Sequence, residues 1–217
     1  MSSYAPSHPE NRRPMTPKTA LLLALLLTTP ALHAAAASQT VAQRPAAWAT
    51  PLTLPGVHNL YKITDNLYRS QQPDSLAALS QLGIKTVINL RMFHDDADLA
   101  PPPGLHLIRV PVNTWQIEDA DVIRVLKILR HRENGPFLLH CQHGADRTGV
   151  MSAMYRLVEQ GWTKEQALRE LQDGGYGFHT IWFNITRYIE HVDVARIRAA
   201  VDAPETPARP APVFPES

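Results

Sequence analysis

The segment from Cys141 to Arg147 brings a thiol, a glycine and a guanidinium together in seven consecutive residues, Cys-Gln-His-Gly-Ala-Asp-Arg. Gly144 lets a tight loop fold inward, so that the backbone N–H groups of the loop point toward a common centre. Such a nest, completed by the N-terminus of a following helix, binds an anion, and the planar fork of Arg147 can bind two phosphate oxygens. The sequence therefore predicts a phosphate site with a thiol at its base.

A thiol in such a site has a specific chemical use. Converging N–H groups and a nearby cation favour the thiolate, which is the nucleophilic form of cysteine. A thiolate at Cys141 can attack phosphorus without a metal ion, so we expect neither a cofactor nor a metal. His140, Cys141 and His143 are potential metal ligands, but adjacent donors on one tight loop rarely reach a common ion. The neighbours of Cys141 disfavour the other interpretation of a lone cysteine, a buried and inert side chain.

Strands and helices in alternation must position this segment. Short apolar runs rich in β-branched residues predict strands over 60–63, 67–69, 84–90, 105–110 and 137–140. Apolar residues at helical spacing predict helices over 73–82, after a cap at Asp119 or Asp121, from Arg147 to Gly161, over 164–172 after Thr163, and over 179–201. This alternation is typical of a single α/β domain with a central, mainly parallel sheet, in which ligands bind beyond the carboxyl ends of the strands.

The extended motif His140-Cys141-x5-Arg147-Thr148-Gly149 resembles the phosphate loop of the cysteine-based protein tyrosine and dual-specificity phosphatases. Residues 66–73 and 86–91 are similar, more weakly, to segments of the bacterial dual-specificity-like branch. The likeness covers about residues 60–194. It implies a protein tyrosine phosphatase-like fold and hydrolysis of phosphate monoesters through a cysteinyl-phosphate intermediate.

The resemblance also implies roles for individual residues. Cys141 is expected to be the nucleophile, and Arg147 is expected to hold the phosphate. The Thr148 hydroxyl is expected to donate a hydrogen bond to the sulfur that leaves in the second step, and His140 to support the loop. The implied phosphate-binding residues are Gln142, His143, Gly144, Ala145, Asp146 and Arg147.

The proton donor does not follow directly from the motif. Family members usually place an aspartate in a loop after the strand matching 105–110, and here Asn113 stands about where that acid is expected. Two replacements are available. Asp119 is close in sequence but is equally suited to cap a helix. Asp146 lies beside Arg147, as in myotubularin-like and Sac-like phosphoinositide phosphatases, and is slightly preferred.

Two further sets of residues are candidates for the walls of the site. Arg69 and Arg91 are candidates for the phosphate mouth, although arginines are ordinarily surface residues. Five residues are candidates for the wall of a pocket for an aromatic phosphoester, although side chains of this kind are more often part of a core: Trp115, Tyr176, Phe178, His179 and Trp182.

Phosphorylated proteins carrying phosphotyrosine, phosphoserine or phosphothreonine are the expected substrates. An inositol phosphate or lipid headgroup is the alternative, favoured by the aspartate before Arg147 but disfavoured by the lack of lysines in the loop. A rhodanese-like sulfurtransferase and a non-catalytic phosphate-binding module are the alternatives of other classes. The net charge of +1 gives no reason to expect binding to nucleic acid.

The chain ends predict export. Lys18, the apolar run 20–27 and the small residues 34–37 are typical of a secretory signal peptide, with Met1 or Met15 as the start. We expect cleavage to leave a periplasmic or secreted protein without a stable membrane span. The predicted organisation is a signal peptide over 1–37, a linker over 38–56, the phosphatase domain over 57–202 and a disordered proline-rich tail over 203–217.

Overall fold

Six short strands form one sheet in the computed structural model, which describes residues 44–204. The strands are β1 (Thr50–Pro51), β2 (Tyr61–Thr64), β3 (Leu67–Ser70), β4 (Thr86–Asn89), β5 (His106–Arg109) and β6 (Phe137–His140). Their order across the sheet is β1-β2-β3-β6-β4-β5. Strands β3, β6, β4 and β5 run parallel to one another, whereas β1 pairs with β2, and β2 with β3, in antiparallel fashion. The predicted α/β domain with a mainly parallel sheet is confirmed.

Between residues 44 and 204, five α-helices accompany the sheet: α1 (Asp119–Arg130), α2 (Asp146–Glu159), α3 (Lys164–Asp173), α4 (Phe183–His191) and α5 (Val194–Asp202). The same part of the chain contains three 3₁₀ helices, over Leu76–Leu82, Asp96–Leu99 and Arg132–Asn134. None of the helices in the described part of the chain is long and apolar enough to cross a membrane. The predicted signal peptide, and the tail from residue 205 onward, lie outside the described residues.

The prediction of one long helix over 179–201 is wrong. The chain breaks between α4 and α5, where the Asp193 side chain accepts a hydrogen bond from the Arg196 N–H at 3.0 Å and caps α5. The helix predicted over 73–82 is a 3₁₀ helix that begins after Ser75, although it ends at Gly83 as predicted. Neither Asp119 nor Asp121 is the cap of α1, because the N-cap position is occupied by Glu118.

Strand β6 is central because its four residues, Phe137, Leu138, Leu139 and His140, are all buried. Successive side chains of a strand point to opposite faces. Leu138 accordingly packs in a cluster with Leu76 and Leu79 on one face, while Phe137 and Leu139 pack with the helices on the other. His140 is paired with Ser70 of β3 and Asn89 of β4, so three parallel strands end side by side. Cys141 follows directly, at the carboxyl ends of these three strands.

The predicted linker over 38–56 contains residues that belong to the fold. Strand β1 pairs with β2, and Ala49 and Leu54 are buried. The backbone N–H of Ala49 donates to Glu170 Oε1 at 2.7 Å. These contacts arise from residues far apart in the chain, which is why composition alone assigned the segment to a linker. The folded part therefore begins before residue 57.

Glu170 is the centre of a buried ion pair that joins α2 and α3. Arg156 donates from Nε to Oε2 at 2.7 Å and from Nη2 to Oε1 at 2.8 Å, and Tyr176 donates its hydroxyl to Oε1 at 2.9 Å. Burial by itself would raise the pKa of Glu170. The hydrogen bonds and charge of Arg156, with the donors of Ala49 and Tyr176, outweigh it and hold the pKa below 4.5.

Replacing Glu170 by glutamine is expected to destabilise the fold by about 3–5 kcal/mol at neutral pH, because the Arg156 charge is then buried without its partner. A carboxyl with a depressed pKa in the folded state contributes stability that is lost as the pH falls through that pKa. As the pH is lowered from about 5, the free energy of unfolding should therefore decrease more steeply in the wild type than in the variant. Urea unfolding across this pH range measures both effects, and equal stability of the two proteins at pH 7 would contradict the prediction.

Candidate active site

The loop over residues 141–147 connects β6 to α2 and presses against the end of β3. Gly144 has φ +69°, and a Cβ at this position would lie 2.5 Å from backbone atoms of Ser70 and Gln71. Only glycine combines this conformation with such a close approach. The backbone N–H of Gln72 also donates to the Gln142 carbonyl at 3.3 Å. The inward fold expected for the loop therefore has a specific support in β3.

Arg69 lies beneath the loop rather than at the phosphate mouth or on the surface. Its side chain is 2% exposed, it donates from Nη2 to the Gly144 carbonyl at 2.6 Å, and its guanidinium stacks 3.7 Å from the ring centre of Tyr176. Burial lowers the pKa of Arg69, against the opposing influence of Tyr176, Glu170 and Cys141. Arg69 and Tyr176 thus form the support of the loop, which the sequence did not indicate.

Cys141 is 2% exposed and follows directly after the buried end of β6. Thr148, in the first turn of α2, is fully buried. Its hydroxyl has no hydrogen-bond partner among the described residues. A buried hydroxyl without a partner is costly, so a partner supplied during the reaction would be favourable. The hydrogen bond from Thr148 to the sulfur stays a prediction.

His140 is held by a buried polar network. Its Nε2 lies 2.7 Å from Asp96 Oδ2, and its Nδ1 lies 3.2 Å from the Cys141 carbonyl oxygen. Asp96 in turn accepts a hydrogen bond from Asn89 Nδ2 at 3.0 Å. Both ring nitrogens therefore have partners, and the ring orientation is fixed below the cysteine. No local sequence pattern indicated that Asp96 reaches the His140 ring.

A cleft of about 460 Å³ opens over the loop. Its lining contains Gln142, His143, Asp146 and Arg147 of the loop, Arg91, Met92, Phe93 and His94 after β4, Thr114 and Trp115, and His179, Ile181 and Trp182. Three of the five proposed wall residues therefore line the cleft, whereas Tyr176 lies under Arg69 and Phe178 packs against the core.

Two guanidinium groups lie in this cleft. Arg147 is half-buried and its Nη1 lies 3.5 Å from the Leu90 carbonyl oxygen. Burial and, to a smaller extent, the neighbouring charge of Arg147 lower the pKa of Arg91. Two cations that line the same cleft favour binding of a doubly charged anion. This places Arg91 in the site, as its position in the sequence suggested.

Asp146 and Asp119, the two candidate acids, have different surroundings. Asp146 lines the cleft, and its carboxylate accepts a hydrogen bond from the His179 N–H at 3.0 Å. Asp119 accepts a hydrogen bond from the Tyr188 hydroxyl at 2.8 Å and forms an ion pair with Arg196. Burial and the hydrogen bond to Asp119 raise the pKa of Tyr188. The structure brings Asp146 together with Arg147 but does not bring Asp119 into the cleft lining.

The loop after β5 reaches the cleft without a carboxylate. Thr114 and Trp115 line the cleft, and the Asn113 side chain accepts a hydrogen bond from the Trp115 N–H at 3.0 Å. Among the described residues that line the cleft, Asp146 is the only acid. No cluster of three or more His, Cys, Asp or Glu side chains suited to a metal ion occurs between residues 44 and 204.

Comparisons with known proteins agree on one family. The family model described as "DSP-PTPase phosphatase fused to NAD+ Kinase" matches residues 64–181. The dual specificity protein phosphatase TpbA of Pseudomonas aeruginosa is 40% identical over 185 residues, which cover 84% of this chain and 82% of TpbA. A crystal structure of a TpbA variant in complex with phosphotyrosine has a TM-score of 0.66 at 36% identity and covers 73% of this chain and 98% of that one.

A more distant structure extends the similarity of fold. The catalytic core of the yeast PP-IP phosphatase SIW14, in complex with citrate, has a TM-score of 0.58 at 21% identity, over 68% of this chain and 94% of that one. At this identity the similarity concerns the fold alone.

Proposed function

The chain belongs to the family of cysteine-based dual-specificity phosphatases, and from this premise we propose that it removes phosphate from phosphotyrosine and phosphoserine or phosphothreonine in proteins. The observation that carries the proposal is the juxtaposition, in one cleft, of the loop after Cys141, the guanidinium groups of Arg147 and Arg91, and the Asp146 carboxylate. The phosphotyrosine complex of TpbA supports the choice of substrate.

In the first step the Cys141 sulfur attacks phosphorus. The S–P bond forms, the P–O bond to the alcohol or phenol breaks, and the leaving oxygen takes a proton from Asp146. Arg147 and the loop N–H groups stabilise the charge on the three phosphoryl oxygens. In the second step water attacks phosphorus and gives a proton to Asp146. The S–P bond breaks, Thr148 donates a hydrogen bond to the leaving sulfur, and phosphate is released.

We assign the proton transfer to Asp146 rather than Asp119. A proton donor must lie within hydrogen-bond reach of the leaving oxygen, so it must face the cleft. Asp146 does so, whereas the Asp119 carboxylate is engaged by Tyr188 and Arg196. Asp119 has a structural role in this assignment, joining the start of α1 to α4 and α5.

The cleft favours a phosphorylated side chain over an inositol polyphosphate. Several phosphates on one ring call for several cations, yet the lining holds two arginines and no lysine. Its rim instead carries large exposed apolar side chains, with Phe93 86%, Trp115 76% and Ile181 74% exposed. Exposed apolar side chains grouped around one site are typical of a protein interaction surface. Here they would contact the residues that flank the phosphorylated one.

Asp146→Asn is the substitution that tests this mechanism, with Asp119→Asn as the matched control. On a phosphotyrosine peptide, Asp146→Asn should lower kcat by about 10²-fold and remove the decline of kcat at high pH that reports loss of the acid. Asp119→Asn should keep that decline. The wild-type enzyme should hydrolyse p-nitrophenyl phosphate equally well with and without EDTA. A greater kcat/KM on an inositol phosphate than on the peptide would overturn the substrate assignment.

We also propose that the mature enzyme is exported after cleavage within residues 34–37. The cationic, apolar and small-residue segments before this position support the proposal. Sequencing the N-terminus of the protein recovered from a periplasmic fraction tests it, and an intact leader on the recovered protein would overturn it.

A further inference from the structure

One residue, His179, makes three close contacts with the Asp146 carboxylate. Its backbone N–H donates to Oδ1 at 3.0 Å, and its ring Nδ1 lies 3.1 Å from Oδ1 and 2.9 Å from Oδ2. The Asp146 side chain is 10% exposed and that of His179 is 51% exposed. Both line the cleft. The imidazole is therefore open to solvent on one side and bound to the proposed acid on the other.

This geometry conflicts with Asp146 acting alone. Hydrogen bonds donated to a carboxylate favour its ionised form, whereas the first step of the reaction requires a group that gives up a proton. Imidazole is the side chain whose protonation ordinarily changes near neutral pH. A proton held on Nδ1 of the ring lies within hydrogen-bond distance of both carboxylate oxygens, so it can replace the proton that the carboxylate gives away.

We propose that the general acid of this enzyme is the Asp146–His179 pair. The His179 ring holds the proton, and Asp146 transfers it to the leaving oxygen. The inference rests on the proposed function and its assignment of Asp146. The pair starts as a protonated ring and a carboxylate. In the first step Asp146 passes the Nδ1 proton of His179 to the leaving oxygen, which leaves a neutral ring and a carboxylate. In the second step the proton that water loses returns through Asp146 to Nδ1, and the pair is restored.

The neighbouring charges bear on the protonation of the pair. Arg91 and Arg147 face the cleft and disfavour a further cation when it is empty, but the dianion of a bound substrate offsets them. The other imidazoles at the cleft are those of His94 and His143. The His143 ring meets the His179 ring edge-on, with centres 5.8 Å apart. The structure shows hydrogen bonds to the Asp146 carboxylate from His179 and from neither of these two rings.

His179→Gln tests the inference because glutamine can still donate a hydrogen bond but cannot titrate. The readout is kcat against pH on two substrates, a phosphotyrosine peptide and p-nitrophenyl phosphate. The nitrophenolate leaves readily without a proton, whereas the tyrosine oxygen, of pKa about 10, does not. We expect kcat on the peptide to fall by about 10²-fold and to lose its decline at high pH, while kcat on p-nitrophenyl phosphate changes little.

Three controls make the result specific. His106→Gln, at an exposed imidazole on the edge strand β5, should leave both profiles unchanged. Thermal unfolding should show that His179→Gln folds. Should it not fold, His179→Ala assayed with added imidazole provides the second measurement, and imidazole should restore turnover of the peptide.

An equal loss on both substrates, an unchanged decline at high pH, or no effect of added imidazole would overturn the pairing. These outcomes differ from failure of the proposed function. If the proposed function failed, the wild-type enzyme itself would not release phosphate from the peptide, or Asp146→Asn would have no effect.

Discussion

Serine in place of Cys141 is expected to lower kcat by at least about 10⁴-fold, because a serine hydroxyl is not ionised at neutral pH and cannot replace the thiolate. The side chain is 2% exposed and serine is slightly smaller, so the fold should be retained. In the proposed site the loop binds phosphate through backbone N–H groups and Arg147, which the substitution leaves in place. The variant should therefore still bind a phosphotyrosine peptide, and calorimetry measures that binding directly.

The cysteine content of the chain simplifies the interpretation of this experiment. Cys141 is the only cysteine of the 217 residues, so the variant contains no thiol that could substitute for it. Turnover of the variant close to that of the wild type would exclude cysteine catalysis. Loss of peptide binding together with turnover, in a protein that remains folded, would contradict the proposed division of roles between the sulfur and the loop.

Arg147→Lys is expected to lower kcat/KM by about 10³-fold although it keeps the positive charge. Lysine lacks the planar fork that binds two phosphoryl oxygens at once, and this geometry matters most in the transition state, when charge spreads over those oxygens. Because the lost interaction strengthens in the transition state, kcat should fall more than KM rises. Steady-state kinetics on p-nitrophenyl phosphate separates the two quantities.

Arg91→Lys is the matched control for this substitution. Arg91 lies in the same cleft and its pKa is lowered by burial and by Arg147, but it follows β4 rather than the loop. The same chemical change there keeps the charge that attracts the dianion and removes no fork from the phosphoryl oxygens, so it should cost at most about tenfold. Equal effects of the two substitutions, or a larger effect at Arg91, would contradict the assignment of Arg147.

The sequence predicted the parts of the site that depend on neighbouring residues. Phe137 to His140 are consecutive and buried, so the strand before the loop could be located to the residue. Gly144 marks the turn of the loop, and its close approach to Ser70 and Gln71 explains why no other residue serves there. The helix predicted after Thr163 likewise begins there, and Thr163 and Gln166 form a capping box at its start.

The parts that the sequence missed depend on contacts between distant residues. Asp146 and His179 are 33 positions apart, and His140 and Asp96 are 44 apart. No local pattern fixes such distances. The break between α4 and α5 was missed because apolar spacing continues through it, although Asp193 is a typical capping residue. Arg69 was a candidate for the phosphate mouth, with the surface as the ordinary alternative, because burial of arginine is uncommon without a specific partner.

The sequence left two candidates for the proton donor for the same reason. Asp119 and Asp146 are equally acidic in sequence, and only the packing of α4 and α5 against α1 engages Asp119 with Tyr188 and Arg196. The loop after β5 ends in the cleft with Thr114 and Trp115 rather than an acid. The proton donor must then come from elsewhere, and we propose Asp146, which lines the cleft together with His179.

Trapping the covalent intermediate is the most direct test of the whole account. Wild-type enzyme mixed with excess phosphotyrosine peptide, quenched in acid within one turnover and digested, should yield a peptide that carries a phosphoryl group on the sulfur of Cys141. The Cys141→Ser variant should yield none. Steady release of phosphate by an enzyme whose Cys141 peptide remains unmodified at every quench time would contradict attack by this sulfur.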